Sequence, residues 1–339
     1  MQHRMGKGDL LDATGHLIER GWATAEVRRY DRKAIKASGW RIKEWDYYCI
    51  ASDRHALALT VADNGYLGFL GLSWMDLEAG TAINHGAVRP FPFGRMNLPG
   101  SADRGDIDQH HGGVHLAFKV EQGARVLSFD APGFDKGAGL SGELRLDQPA
   151  DDRMVIATPF ADAPRAFYYN QKVNCMPASG EVVLGGQRIA FQPDSAFAVL
   201  DWGRGVWTYD NTWYWASASG LLGQRRFGFN LGYGFGDTSA ASENMLFLDG
   251  RAHKLDQVTF HMPAGRPDSA PWQFTSNDGR LEMRFDPIVD RHDKVDLGLF
   301  RTAQHQVFGR FSGRAIADDG EVLEFSDLTG FAEKVHNRW

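Results

Sequence analysis

The chain has 339 residues, of which 43% are hydrophobic and 24% charged, enough for one large domain or two ordinary ones with a substantial core. Its net charge of −6 argues against nonspecific binding to nucleic acid, whose phosphates want a basic surface. No apolar run reaches membrane-spanning length and the start MQHRMGKGDLLDATGH has no apolar centre, so the reading is a cytoplasmic protein in which Cys49 and Cys175 are reduced, buried thiols.

The first clear elements are β-rich. WDYYCIAS, Trp45 to Ser52, and HALALTVADNG, His55 to Gly65, are separated by a short polar break. YLGFLGLSWMDL, Tyr66 to Leu77, resumes at once after the Asp63-Asn64-Gly65 turn, which predicts a meander. Gly86 to Gly113 then combines Pro, Gly and charge, and is too long for a simple turn. Stretches of that size serve as lids or binding loops, or merely connect. Its end, DIDQHHGGVH, offers Asp106, Asp108, His110, His111 and His115 as metal-ligand types. They lack a standard zinc spacing, and Gly112-Gly113 spoils a helical two-His arrangement, so no metal is expected.

Phe167 to Phe191, FYYNQKVNCMPASGEVVLGGQRIAF, is the next strand-rich run. Alternation puts Tyr168, Asn170 and Lys172 on one face and Tyr169 on the other. Then comes LDWGRGVWTYDNTWYWASASG, Leu200 to Gly220, dense in Trp and Tyr beside Asp201 and Asp210. Asp201 set against Trp202 would lose hydration, hold its proton near neutrality and serve as a general acid, oriented by Tyr169 or His305. Alternatively it pairs with Arg204 or caps the following turn. Along Asn211 to Ser219 either Trp213 and Trp215 or Tyr214 faces a ligand space, with Trp202, Trp207, Tyr168 and Lys172 as further wall residues; plain core packing is the other reading. GFNLGYGFG, Gly228 to Gly236, opens no helix and fails the test for a dinucleotide loop. Its glycines would let a strand bend or let aromatic neighbours sit close.

Hairpin signals continue to the end, through Gly185-Gly186, Asp249-Gly250, Asn277-Asp278-Gly279 and Asp318-Asp319-Gly320. With no alternating helices they predict an all-β, antiparallel architecture with less than about a fifth of the residues helical. The strand count fills two barrels with a boundary at 190–198. His305 and Gln306 precede one late hairpin, and Glu333 in LTGFAE could complement Asp201 across a pocket, or form a surface ion pair with Lys334 or Arg338.

Phe167 to Phe191, the following aromatic strand and the C-terminal stretch DPIVDRHDKVDLGLFRTAQHQVFGRFSGRAIADDGEVLEFSDLTGFAEKVHNRW resemble the bacterial proteins grouped as domain of unknown function 2804. That grouping is more distantly similar to the carotenoid hydratase (hydroxyneurosporene synthase) and AttH-like proteins. The resemblance implies two lipocalin-like barrels side by side, with a pocket in a barrel mouth or between them; the strand count assigns them to residues 1–190 and 191–339. The resemblance also implies chemistry without a cofactor on apolar substrates. Where the hydratase-like proteins carry Asp-His-Gln/Glu-Trp-Gly, this chain has Asp201-Trp202-Gly203, so the fold carries over further than the chemistry.

The leading expectation is a cofactor-independent, acid-catalysed hydratase, isomerase or cyclase acting on a small hydrophobic molecule. Its catalytic residues would be Asp201, Tyr169, His305 and Glu333. Trp202, Trp207, Trp213, Tyr214, Trp215, Tyr168, Lys172 and Gln306 would bind the substrate. A non-catalytic carrier and a carbohydrate-active protein with an Asp201/Glu333 pair remain open, as does the oligomeric state.

Overall fold

The computed structural model describes residues 2–296 and 301–338. Strand accounts for 63% and helix for 3%, so the hairpin signals were sufficient to set the class. Turn glycines occur where the sequence placed them: Gly65, Gly250, Gly279 and Gly320 all have positive φ, the region that L side chains rarely adopt.

Among the described residues the strands form two large antiparallel sheets, each curled on itself. The longest path in the first runs, by adjacency, through Thr81–Pro90, Leu67–Asp76, His55–Asp63, Ile42–Ala51, Phe197–Val206, Ala163–Leu184, Leu140–Asp147, Ala124–Ala131, Val114–Glu121 and Ile107–His111. Its two end strands are consecutive in the chain. They meet where His111 Nε2 lies 3.1 Å from the Val88 carbonyl oxygen. The second sheet has nine strands and behaves alike: its outer strands, Arg251–Lys254 and Val258–His261, are also consecutive. This is the double lipocalin-like architecture.

Phe197–Val206 pairs with both Ile42–Ala51 and Ala163–Leu184. The first sheet therefore runs to Val206 and the second begins at Asp210, which moves the changeover from the expected 190–198 to 207–209. The break after Phe191 is only a turn, closed by the Ser195 and Ala196 amides on the Gln192 carbonyl, within one sheet.

Each interior is filled. In the second barrel Phe260 and Phe274 lie 4.4 Å apart by ring centroid, as do Phe285 and Phe311, beside the fully buried Trp272, Phe227 and Phe229. In the first, Trp202 meets Tyr30 and Tyr169 edge-on, and the Arg204 guanidinium sits 4.2 Å over its ring while pairing with Asp46 at 2.9 Å. A third apolar cluster belongs to neither interior. It joins Tyr47, Cys49, Met75 and Val199 of the first barrel to Trp215, Val289, Phe308 and Phe331 of the second, and so forms the seam between them.

Candidate active site between the barrels

Successive residues of a strand point to opposite faces, and that rule decides what reaches the seam. Along Phe197–Val206, Leu200, Trp202 and Arg204 point into the first barrel, whereas Val199 and Asp201 point out of it. Lys172 and Tyr47 are the cross-strand partners of Asp201 on either side, so all three share the outward face. On the second barrel Trp215, Glu333, Gln306 and Arg291 form an equivalent outward row, each the register partner of the next. The two rows oppose each other around a cavity of about 210 Å³.

Its walls are aromatic: Trp45, Tyr168, Trp207, Trp213, Trp215 and Phe235. Trp45 stacks on Tyr168 at 15°, and Phe235 meets Tyr168, Trp207 and Trp213 at 4.7–5.3 Å. Two glycine positions make this possible. A Cβ at Gly203 would overlap Trp45 Cζ2 at 1.9 Å, and one at Gly236 would meet Thr158 Oγ1 at 2.7 Å, beside the bend that delivers Phe235. Within 228–236 the nearest atoms a Cβ would meet belong to Ala218, Glu243, Thr212 and Thr158 rather than to aromatic rings.

The polar groups converge on the same space. Lys172, 3% exposed at its side chain, places Nζ 2.8 Å from Asp201 Oδ1 and 3.8 Å from the Trp215 ring centre. Asn170 Nδ2 donates to the same Asp201 oxygen at 2.6 Å. Glu333 receives the Trp213 indole N–H on Oε1 at 3.0 Å and the Gln306 amide on Oε2 at 3.1 Å. Gln306 is held in turn by the Tyr47 hydroxyl and the Arg291 guanidinium on its Oε1. Glu243 also lines the cavity, with no hydrogen bond to its carboxylate among the described residues.

Burial raises both glutamates from an ordinary 4.5 to about 7, because desolvation penalises the carboxylate. Nearby Lys172 works against the rise at both, and the Asp201 charge adds to it. The Trp213 indole N–H opposes it further at Glu333. The two thiols are elsewhere; burial pushes Cys49 and Cys175 up to about 12, which leaves them inert at neutral pH.

Eight of the twelve expected site residues line the cavity: Asp201, Glu333, Tyr168, Lys172, Trp207, Trp213, Tyr214 and Trp215. Tyr214 reaches only its margin, since its ring faces the second barrel and stacks on Tyr233. The other four lie off it. Trp202 is inside the first barrel, one residue and therefore one face away from Asp201. Tyr169 is likewise inside, its hydroxyl donating to the Arg28 carbonyl at 2.7 Å, and so cannot orient Asp201. His305 sits in a separate surface groove with Nδ1 2.7 Å from Asp290. Gln306 lies behind the wall as a support for Glu333. Asp201 does not pair with Arg204, and Glu333 pairs with neither Lys334 nor Arg338. His111 and His115 turn to different partners, Val88 O and Asp108, and no group of three or more potential metal ligands occurs among the described residues.

Sequence reasoning missed Glu243, Trp45, Tyr47 and Phe235. Trp45 and Tyr47 were recoverable from alternation in WDYYCIAS. Phe235 was recoverable from the glycines that flank it. Glu243 lies in the polar stretch GDTSAASENM, which reads as a solvated loop.

The chain belongs to the DUF2804 family, a domain of unknown function, whose model matches residues 2–339. No curated protein matches it by sequence. Similar solved structures include CghA with Sch210972, at 14% identity over 98% of this chain and 97% of that one, with a TM-score of 0.57. An AttH-like protein from Nitrosomonas europaea is similar at 14% identity over 92% and 98%, with a TM-score of 0.54. Kievitone hydratase from Nectria haematococca follows at 11% identity over 98% of each chain and a TM-score of 0.50. At these identities the likeness establishes the double-barrel fold.

Proposed function

We propose that the chain is a cofactor-independent enzyme of the hydratase, isomerase or cyclase kind, moving protons on a mostly apolar small molecule held between the barrels. The observation that carries the proposal is the pair Glu243 and Glu333, both buried in one aromatic-walled cavity and both raised to about 7. A carboxyl that titrates near the working pH is an efficient proton donor and acceptor. That two structural neighbours of the same fold include a hydratase and a ligand-bound protein is in keeping with it.

The two glutamates differ in what surrounds them. Glu243, with no donor on its carboxylate, is the acid. Glu333, which receives an N–H on each oxygen, is favoured as the carboxylate and is the base. In a hydration, the Glu243 proton forms a new C–H bond with the π electrons of the alkene. The adjacent carbon is left cationic, facing the Trp and Tyr rings. Water bonds to that carbon and gives its proton to Glu333. Isomerisation or cyclisation uses the same donor and acceptor without the water. Lys172, held by Asp201, lends a fixed positive charge to any oxygen that gains electron density.

The test is incubation with terpenoid alkenes and α,β-unsaturated ketones in heavy-oxygen water, followed by mass spectrometry. The expected result is labelled alcohol, or an isomer of unchanged mass. Glu243→Gln should then lower turnover by about 10² or more, the usual worth of a positioned acid, with no loss of stability. Binding of the panel without any new product would make the protein a carrier. Turnover unchanged in both Glu243→Gln and Glu333→Gln would remove the pair from the chemistry.

A further inference from the structure

The outward face of the first barrel does not end at the cavity. Gly203, Trp45, Ala62, Phe69 and Val88 are register partners in turn across neighbouring strands. Trp45, Ala62 and Phe69 line the cavity, while Val88 is 53% exposed. An apolar lane therefore leads from the site to the barrel edge. At that edge stands an aromatic platform. Trp40 and Phe91 are 52% and 53% exposed. Trp40 stacks on Tyr66 and meets Phe91 and Phe93 edge-on, and those two phenylalanines stack on each other.

The platform is built rather than frayed. Phe91 and Phe93 both have φ near +50° (51° and 48°), a conformation non-glycine residues adopt only when the surroundings impose it. The fully buried Asp63 imposes it here, accepting the amides of Gly65, Gly94 and Met96. The Phe91 and Phe93 amides are tied to the Tyr66 and Gly65 carbonyls. Large apolar side chains are thus held out into water by a rigid base, where isolated exposed apolar residues would need no explanation but a contiguous cluster does.

The charge around it is one-sided. Segments 32–43, 64–71 and 86–96, which carry the platform, contain no Asp or Glu in a chain of net charge −6, and the Asp63 beneath them is fully buried. Lys33, Lys36, Arg41, Arg89 and Arg95 belong to these segments, and none is in an ion pair with a carboxylate among the described residues. Exposed aromatics flanked by cations match the chemistry of an anionic bilayer surface, where rings sit at headgroup level and Lys or Arg meet the lipid phosphates.

We infer that the Trp40–Phe91–Phe93 platform docks the protein on an anionic membrane surface, with the lane from Val88 to Trp45 serving as the route by which an apolar molecule passes between bilayer and cavity. The inference does not depend on catalysis, and its assay reads binding alone.

The experiment is co-sedimentation of the full chain with phosphatidylcholine vesicles, with and without phosphatidylserine. The protein should sediment with the phosphatidylserine-containing vesicles and be released by salt. Trp40→Ala with Phe91→Ala, and separately Arg89→Glu with Arg95→Glu, should each weaken binding by roughly tenfold or more. Both double variants should keep the near-ultraviolet circular dichroism of the native fold. Failure to sediment with either vesicle, or equal binding by wild type and both variants, would overturn the inference. So would a concentration-dependent dimer, seen by light scattering without vesicles and abolished by Trp40→Ala, since the platform would then be covered by a second copy.

Discussion

The interior of the second barrel and the seam between the barrels are both dense in aromatic rings, yet they are put to opposite uses. Inside the barrel, rings pack mainly on rings, as Phe260 does on Phe274 and Phe285 on Phe311, and the Trp272 indole donates to a backbone carbonyl, not to a charged group. At the seam, rings meet ionisable groups: Trp215 lies under the Lys172 ammonium, and Trp213 donates to Glu333. A lipocalin-like barrel usually suggests a ligand in its mouth. Here the interiors are filled, and the aromatic-walled cavity lies outside both, where two outward faces press together.

The largest expected effect lies on the barrel side of this contrast. Phe274→Ala, at a fully buried position, should cost about 3–5 kcal/mol, measured by urea denaturation. Binding of an apolar fluorescent dye to the seam should be unchanged per folded molecule. A loss of dye binding would mean that barrel interior and seam are not separate.

On the seam side, Lys172→Met leaves Asp201 without its ammonium and should cost about 3 kcal/mol or more. Adding Asp201→Asn to that variant should recover much of the loss, a rescue no second substitution gives to Phe274→Ala. Additive losses in the double variant would show that the pair is not coupled.

Titration separates the regions again. The Glu243 carboxyl is raised from 4.5 to about 7, so the folded state binds its proton more tightly than the unfolded chain. Its contribution is fully present below about pH 4.5 and is lost as pH rises through about 7, by an amount on the order of 3 kcal/mol. Glu243→Gln should therefore grow more stable relative to wild type between pH 5 and 8. A pH-independent difference would contradict a buried, proton-holding Glu243. Any turnover should be bell-shaped around pH 7, with acid and base lost on opposite sides.

The smallest effect is steric. Gly203→Ala places a methyl where Trp45 lies and should cost about 1–3 kcal/mol, with a visible change in Trp fluorescence. No spectral change would mean that Trp45 is free to move away.

What the sequence disclosed follows from the same physics. Turn glycines and alternation gave the hairpins, and alternation also put Tyr168 and Lys172 on a different face from Tyr169, as observed. It could not say which face was inside, because the seam strands are buried on both sides. Phe197–Val206 is buried at every position, so no polar stripe marks the solvent face. Placing Asp201 against Trp202 ignored the two-residue period that alternation imposes. Glu243 was illegible for another reason: a carboxylate in a polar loop looks solvated until the fold buries it against Gly232, whose missing side chain leaves it room.

The seam also sets an order of events as the chain is made. Its fastenings span most of the sequence: Tyr47 to Gln306 across 259 positions, and Asp53 to Thr329 across 276. During synthesis the first sheet is complete at Val206, while Tyr47, Cys49, Met75 and Val199 still await Phe308 and Phe331. For that interval a greasy flank faces water, the kind of surface that invites misassociation. A fragment ending at residue 206 should bind a hydrophobic dye and self-associate, whereas the full chain should not. The same late closure makes an intact cavity a sign that synthesis has reached the last strand.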